Sequence, residues 1–297
     1  MISRNPLILR PQHWVCLAAC LLFSGLAVAS GPGRPAVGRN QAPNPVQTIN
    51  PAEWVRAAVD HQQEIIRGDG QFVRYRMQRR DDRGSSLKDV VETRQGFISR
   101  TIERNGSPLN GEQQQAEAQR LQSMLSSPDD MARHHRREQA DLNRTLIMVQ
   151  QMPTAMIWSV APGLSNADTV VLDFKANPVY HPPTRETAIL KCLAGRLWID
   201  AQTQRMIRIE GRLVQNVDYG WGFFARLNSG GTVTLEQHPV EIPGGRPHWE
   251  TFHFEMNVSG LALMVKHLSF NVVEDLSHFE PVPGSPDYSD GIRMLLK

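Results

Sequence analysis

Cysteine is nearly absent from this chain. Of three cysteines, Cys16 and Cys20 lie in the first 20 residues, which leaves Cys192 alone in the body of the protein. One thiol makes no intramolecular disulfide, and no cysteine-based metal site can be assembled around it. Cys192 falls in a strand-like stretch and reads as a small buried apolar side chain. Net charge is also missing. The formal balance is +2, from 32 basic and 30 acidic residues; without Arg4 and Arg10 of the N-terminal segment it is 30 against 30. A neutral chain has no electrostatic footprint for nucleic acid and no strong drive toward anionic membranes. No apolar run reaches the roughly 20 residues of a spanning helix. No sequence repeat of fixed period is present, and no βαβ rhythm, which excludes solenoid, Rossmann and TIM-barrel architectures.

The N-terminus assigns a compartment. Residues 1–13 are polar and carry Arg4 and Arg10. A 16-residue apolar run follows at 14–29, ending in Ala27-Val28-Ala29. A basic start, a short apolar middle and a small-x-small exit form a secretory signal peptide, with the mature chain expected to begin at Ser30 in the periplasm. Leu17-Ala18-Ala19-Cys20 offers the alternative of a lipid anchor at Cys20, but Leu21, Leu22, Phe23, Leu26 and Val28 continue the apolar run past that point. Residues 30–50, punctuated by Gly and Pro, read as a flexible leader.

The body is 40% apolar and 21% charged, a globular composition. Asn50-Pro51-Ala52-Glu53 supplies a cap, a first-turn proline and an acidic third position. Trp54, Val55, Ala58, Val59, Ile65 and Ile66 then recur at helical spacing, so helix 51–67 is expected with Gly68 ending it. Strands are expected at 72–78, 87–93 and 97–103. Residues 111–152 break the pattern as an inserted helical pair, polar in front and apolar in its last turns. The remainder reads as strand after strand: 169–175, 187–200, 205–217, 222–227, 231–238, 249–258 and 261–275, with Ser259-Gly260 expected as a tight turn. Residues 279–297 read as a Pro/Gly-punctuated tail. The expected fold is α+β: a curved antiparallel sheet, an incomplete barrel with one apolar face, packed by the N-terminal helix in a single domain over 51–278.

Catalytic signals are sparse. There is no Gly-x-Ser-x-Gly elbow, P-loop or dinucleotide fingerprint. Ser159 and Ser165 have no setting that marks a nucleophile. Asp200 and Thr203 read as turn residues that bond backbone amides. His134 and Glu138 have i,i+4 spacing, but with His135, Arg136 and Arg137 they read as a solvated helix face. His238, His248, His253 and His267 lie close enough in sequence to converge in a sheet. Tyr219 and Phe223 flank Gly-Trp-Gly at 220–222, and an aromatic cluster of this kind in an antiparallel sheet is core. No cofactor and no metal are expected.

The stretch 195–211, Gly-Arg-Leu-Trp-Ile-Asp-Ala-Gln-Thr-Gln-Arg-Met-Ile-Arg-Ile-Glu-Gly, resembles the central hairpin of LolA/LolB-type outer-membrane lipoprotein-sorting proteins. The preceding Asp173–Arg185 is similar to a Pro-rich loop of exported members of that group. The resemblance covers roughly 50–275, although only 198–211 is specific. It implies a half-barrel whose helices lid a cavity for lipid or lipoprotein acyl chains, with no catalysis. The 111–152 insert and the greater length depart from the simple carriers, and a shared fold does not secure a shared cargo.

Alternation places Ile207, Ile209 and Leu213 on one face, and Phe252, Phe254, Met256 and Val258 on another inward set. Leu263 and Val265, or Leu268 and Phe270, follow according to where the strand bulges. With Trp54 and Ile65 of the covering helix these residues are the expected cavity lining. Three functions remain open: a carrier with a contiguous apolar cavity, a structural or interaction module of the envelope with a filled core and a protein partner, and an enzyme in which two or more late histidines meet a carboxylate.

Overall fold

The computed structural model describes residues 50–297 apart from 69, 220–224, 244–246 and 264. The expectations on the signal peptide, Cys20, most of the leader and the 220–223 aromatic cluster beyond Tyr219 lie outside these residues. Helix α1 (Pro51–Arg67) begins where the cap predicts: Asn50 Oδ1 accepts from the Ala52 amide at 3.1 Å, and Gly68 closes the far end on the Ile65 carbonyl. A 13-stranded antiparallel sheet follows, in the order β4-β3-β2-β1-β13-β12-β11-β8-β7-β6-β5. Its members are β1 (Phe72–Asp81), β2 (Gly84–Thr93), β3 (Gly96–Arg104), β4 (Ser107–Pro108), β5 (Met156–Val160), β6 (Thr169–Ala176), β7 (Leu193–Asp200) and β8 (Met206–Leu213), then β11 (Thr232–Val240), β12 (His248–Ala262) and β13 (Lys266–Val282). Two short strands, β9 (Val217–Tyr219) and β10 (Ala225–Leu227), hang from β12 as a side hairpin. The fold is α+β with a large sheet that does not close into a barrel: β4 and β5 end its order unjoined.

One cross-strand row shows how the sequence organises the two halves. Leu172, Leu197, Ile209, Leu235 and Phe254 are successive partners from β6 to β12, and the row continues through Glu274 on β13 and Arg79 on β1. Paired residues of an antiparallel ladder share a face. This row is therefore apolar from β6 to β12 and ionic where it crosses β13 and β1, although Val272 and Leu276 of β13 and Tyr75 and Met77 of β1 are buried on either side of it. Its apolar part is covered by α1 and by α3 (Pro128–Ala155). Trp54, Val55, Ala58, Val59, Ile66, Met148 and Val149 join Leu172, Leu197, Leu235 and Phe254 in one core cluster.

Several strand expectations shift because the ladders bulge. Ile207 is the extra residue between Trp198–Arg208 and Ile199–Met206, so Met206 takes the core position in its place. Phe252 is the extra residue on β12 and turns from Phe254 toward Phe279, with ring centroids 4.8 Å apart. Gly260 does not turn. It pairs with Leu268, and an added Cβ would lie 2.2 Å from the Arg226 carbonyl oxygen, so β10 can approach only a glycine there. The actual turn falls at Leu263, which has φ +48° and is 60% exposed; Val265 is exposed as well. Residues 187–192, expected as the start of strand 187–200, belong instead to a 3-10 helix (Glu186–Cys192) whose Thr187, Ile189, Leu190 and Cys192 are buried.

The inserted pair is present as α2 (Gly111–Leu125) and α3. The tail is not a tail. β13 runs to Val282, and α4 (Tyr288–Leu296), capped by Asp287 and Asp290, buries Tyr288, Ile292 and Leu295 against Val91, Ile98 and Leu121. Pro281, Pro283 and Pro286 mask this helix in the sequence, since closely spaced prolines cannot sit inside a helix and read as irregular chain.

Replacing Trp54 by Ala removes a ring that is 8% exposed and is expected to cost about 3–5 kcal/mol, whereas Leu263→Ala is expected to change stability by less than about 0.5 kcal/mol. Urea titrations of the two variants check the contrast.

Candidate functional site

Strand β3 is where the sheet would stop, because β4 covers only Glu103 and Arg104. Phe97, Ser99 and Thr101 pair with Glu92, Val90 and Lys88 of β2, and along their other side backbone groups face outward. An open row of this kind templates aggregation unless something occupies it. Here helix side chains do. Glu117 of α2 accepts from the Thr101 amide at 2.9 Å, and Arg120 donates to the Ser99 carbonyl at 2.7 Å. His134 Nε2 bonds the Phe97 carbonyl at 3.0 Å, and His135 Nδ1 bonds the Gln95 carbonyl at 2.9 Å. Both imidazoles lie against the Tyr288 ring, and Glu138 is buried beside Gly96. Gly96 has φ +138°, and an added Cβ would lie 2.7 Å from Tyr288 Oη. The polar front of α3 is therefore a docking face, not the solvated one its composition suggests.

Between this seam and β1–β3 lies a cavity of about 840 Å³. Its cations are Arg79, Arg83, Lys88, Arg104, Arg120, Arg133 and Arg137, with His134; its carboxylates are Asp81, Glu117, Asp130 and Glu138. Three arginines are matched: Arg79 bonds Asp81 at 3.0 Å and Glu274 at 2.7 Å, Arg120 bonds Glu117 at 2.8 Å, and Arg133 bonds Asp130. Arg83, Lys88, Arg104 and Arg137 make no ion pair among the described residues, while the remaining carboxylate, Glu138, is turned toward Gly96. Lys88 sits at the floor, 8% exposed, and burial with the neighbouring Arg79 lowers its ammonium to about 8. Burial lowers His134 too. Burial pushes Glu117 up, but the Arg120 bond and charge and the Thr101 amide outweigh it and hold the carboxyl below its ordinary value.

The residues expected to line an apolar cavity are elsewhere. Trp54, Leu213, Phe254, Met256 and Val258 are buried members of the α1/α3 core, and Ile209 and Phe270 are half-buried against it. Ile65 is buried on α1; Ile207 and Phe252 are displaced by bulges, and Leu263 is in solvent. None of them lines the cavity beside β3. The late histidines do not converge. His253 lies between Asp275 at 2.7 Å and Glu255 at 3.9 Å, His238 packs on the Phe252 ring, His267 is exposed, and His248 stands with Glu92 and Glu250. Ser165 braces the loop before β6 through the Val171 backbone, and Ser159 is exposed. Asp200 accepts from the Gln202 and Thr203 amides and the Thr203 hydroxyl, holding the β7–β8 turn. The Cys192 thiol is pushed up by burial.

The cationic residues were missed, although one signal was present. In β1 the inward register reads Tyr75, Met77, Arg79, and in β2 it reads Val90, Lys88: a cation stands where alternation asks for an apolar residue. Comparison with family models, curated proteins and solved structures finds no match to this chain.

Glu274 is fully buried, and desolvation, only partly offset by Arg79, raises its carboxyl to about 7. The folded protein thus keeps a proton that the unfolded chain, near its ordinary 4.5, has released. This group's contribution to stability is expected to fall as pH rises from about 4.5 to about 7, by on the order of 2–3 kcal/mol. Lys88 acts in the opposite sense above that window, since its charge is shed near 8 in the folded state and near 10.5 in the unfolded. Denaturant titrations from pH 4 to 8 are expected to show the fall in the wild type and its loss in Glu274→Gln.

Proposed function

We propose that this chain is an exported binding module of the cell envelope that takes an anionic ligand in the cleft beside β3 and does not convert it. The observation that carries this reading is the charge balance of the cleft: Arg83, Arg104, Arg137 and Lys88 make no ion pair among the described residues, around a volume of about 840 Å³. A cavity of this size suits a ligand of drug or headgroup dimensions. Guanidinium groups match phosphate and carboxylate oxygens in paired bonds, and a partly desolvated ammonium at the floor adds a point charge. The one imidazole in the cleft bonds the Phe97 carbonyl through Nε2, which ties that ring to the β3 edge.

Envelope carriage itself rests on the signal peptide, on the 195–211 hairpin's resemblance to lipoprotein-sorting proteins, and on the open half-barrel architecture. Acyl-chain storage under the helices would place the cargo among side chains that α1 and α3 already cover. The ligand chemistry favoured here is a phosphate or carboxylate group, carried by a lipid or by a soluble compound.

Titration of the mature protein with dihexanoyl phosphatidylglycerol, dihexanoyl phosphatidylcholine and inorganic phosphate tests this. Saturable binding of an anionic probe is expected, with no binding of the zwitterionic one. The double variant Arg104→Glu, Arg137→Glu is expected to weaken it by at least about tenfold, and added salt is expected to weaken it as well. Binding of phosphatidylglycerol without phosphate identifies an amphiphile; binding of both identifies the anion alone as sufficient. Binding of a fluorescent fatty acid alone, unaffected by the arginine changes, would overturn the reading in favour of an acyl carrier.

A further inference from the structure

A second cluster lies apart from the cleft. His248 and Glu250 stand two apart on β12, so both side chains leave the same face of that strand. Glu92 ends β2, with β1 and β13 between it and β12 in the sheet order. In a flat sheet three strand spacings would separate them by about 14 Å. Instead His248 Nε2 is 3.7 Å from Glu92 Oε2 and 2.9 Å from Glu250 Oε1. The sheet has curled so far that the start of β12 comes over the end of β2.

The geometry points to a divalent metal site at Glu92, His248 and Glu250 that clasps the curled sheet. All three residues are more than nine-tenths buried, and their ligand atoms lie within 4.8 Å of one another. An ion bound at 2.0–2.2 Å by nitrogen and oxygen sets its ligand atoms about 3–3.5 Å apart, and the His248–Glu250 and His248–Glu92 separations of 2.9 and 3.7 Å bracket that spacing. The donor set is one imidazole and two carboxylates, which suits zinc, manganese or cobalt and not a soft ion. Two carboxylates and a neutral imidazole carry the charge that one divalent ion cancels, which lowers the cost of burying them. The surroundings are those of a supported site. The Val73 amide donates to Glu92 Oε2 at 3.3 Å and fixes that carboxylate, while Phe97, the cross-strand partner of Glu92, is buried. The site is independent of the anion cleft, shares no side chain with it in the roles described, and ties β2 to β12 whether or not a ligand is present.

The mature protein, stripped with a chelator and desalted, is to be given zinc, manganese or cobalt in slight excess, re-desalted and analysed for metal. About one ion per chain is expected. The cobalt form is expected to show visible d–d absorption, and the zinc form a higher Tm than the stripped protein. His248→Ala and the near-isosteric Glu250→Gln are each expected to lose the bound ion. Circular dichroism and tryptophan fluorescence check that the variants are folded. If His248→Ala does not fold, Glu250→Gln and the wild-type cobalt spectrum decide the matter. Absence of a stoichiometric ion from the folded wild type with all three metals would overturn the assignment, as would full retention of metal by folded His248→Ala or Glu250→Gln.

Discussion

The free edge of β3 governs much of this molecule. An antiparallel sheet that does not close must end somewhere, and its last strand presents a row of unpaired amides and carbonyls. Here the row is taken up by Glu117, Arg120, His134 and His135, all from the helical pair inserted between β4 and β5. This sets α2 and the first half of α3 against the strand edge, while the second half of α3 lies over the sheet's apolar face. Helix α4 then has a groove to fill on one side, where Tyr288 lies tilted against the His134 ring and edge-on to the His135 ring and Ile292 meets Val91 and Ile98. On the other side the helices stand off from β1 and β2, and the space between becomes the cleft. Glu117 and Arg120, which bond the edge, form an ion pair, so the cavity they frame is polar, and Arg79 and Lys88 add charge from β1 and β2.

The two halves of the sheet solve different problems. From β6 to β12 one face is covered by α1 and the second half of α3 in the manner of any amphipathic layer, with burial of Leu172, Leu197, Leu235 and Phe254 as the driving term. Toward β1 that cover ends: ionic contacts, Arg79 with Glu274 and Asp81 and Arg74 with Asp89 on the other face, stand beside a separate small apolar cluster of Val73, Tyr75, Met77, Val90, Phe97 and Leu276. Charge pairs at this depth contribute less stability than packed hydrocarbon but specify one arrangement. The proposed binding site lies at the ionic end, apart from the α1/α3 core.

Much of the architecture was legible in the sequence, and the losses have physical causes. Helix α1 carries its own punctuation in Asn50, Pro51 and Gly68, and the alternation of 206–213 and 254–258 marks half-buried strands. Alternation assumes a regular ladder, however, and a single extra residue at Ile207 or Phe252 reverses the face of everything on one side of it. Gly260 reads as a turn because glycine is a turn former, yet it is required by the approach of β10, a tertiary fact. The helix at 288–296 is short and follows three prolines, and its burial depends on the α2/α3 seam being in place. Most of the site was illegible because its residues come from three strands and two helices. His134, Arg120 and Glu117 look like a solvated helix face until an unpaired strand edge is set against them. The cations at Arg79 and Lys88 were the one local trace, as breaks in the inward register of β1 and β2.

The claim that helix side chains substitute for a strand partner at β3 is tested most directly at the Thr101 amide, whose only acceptor among the described residues is Glu117. Native-state hydrogen exchange, resolved by residue, is expected to show Thr101 protected to a degree comparable with the β2–β3 ladder in the wild type, and deprotected by about tenfold or more in Glu117→Ala while the β7–β8 ladder stays unchanged. A Thr101 amide that exchanges at the rate of an open loop in the wild type, or one indifferent to the loss of Glu117, would contradict it.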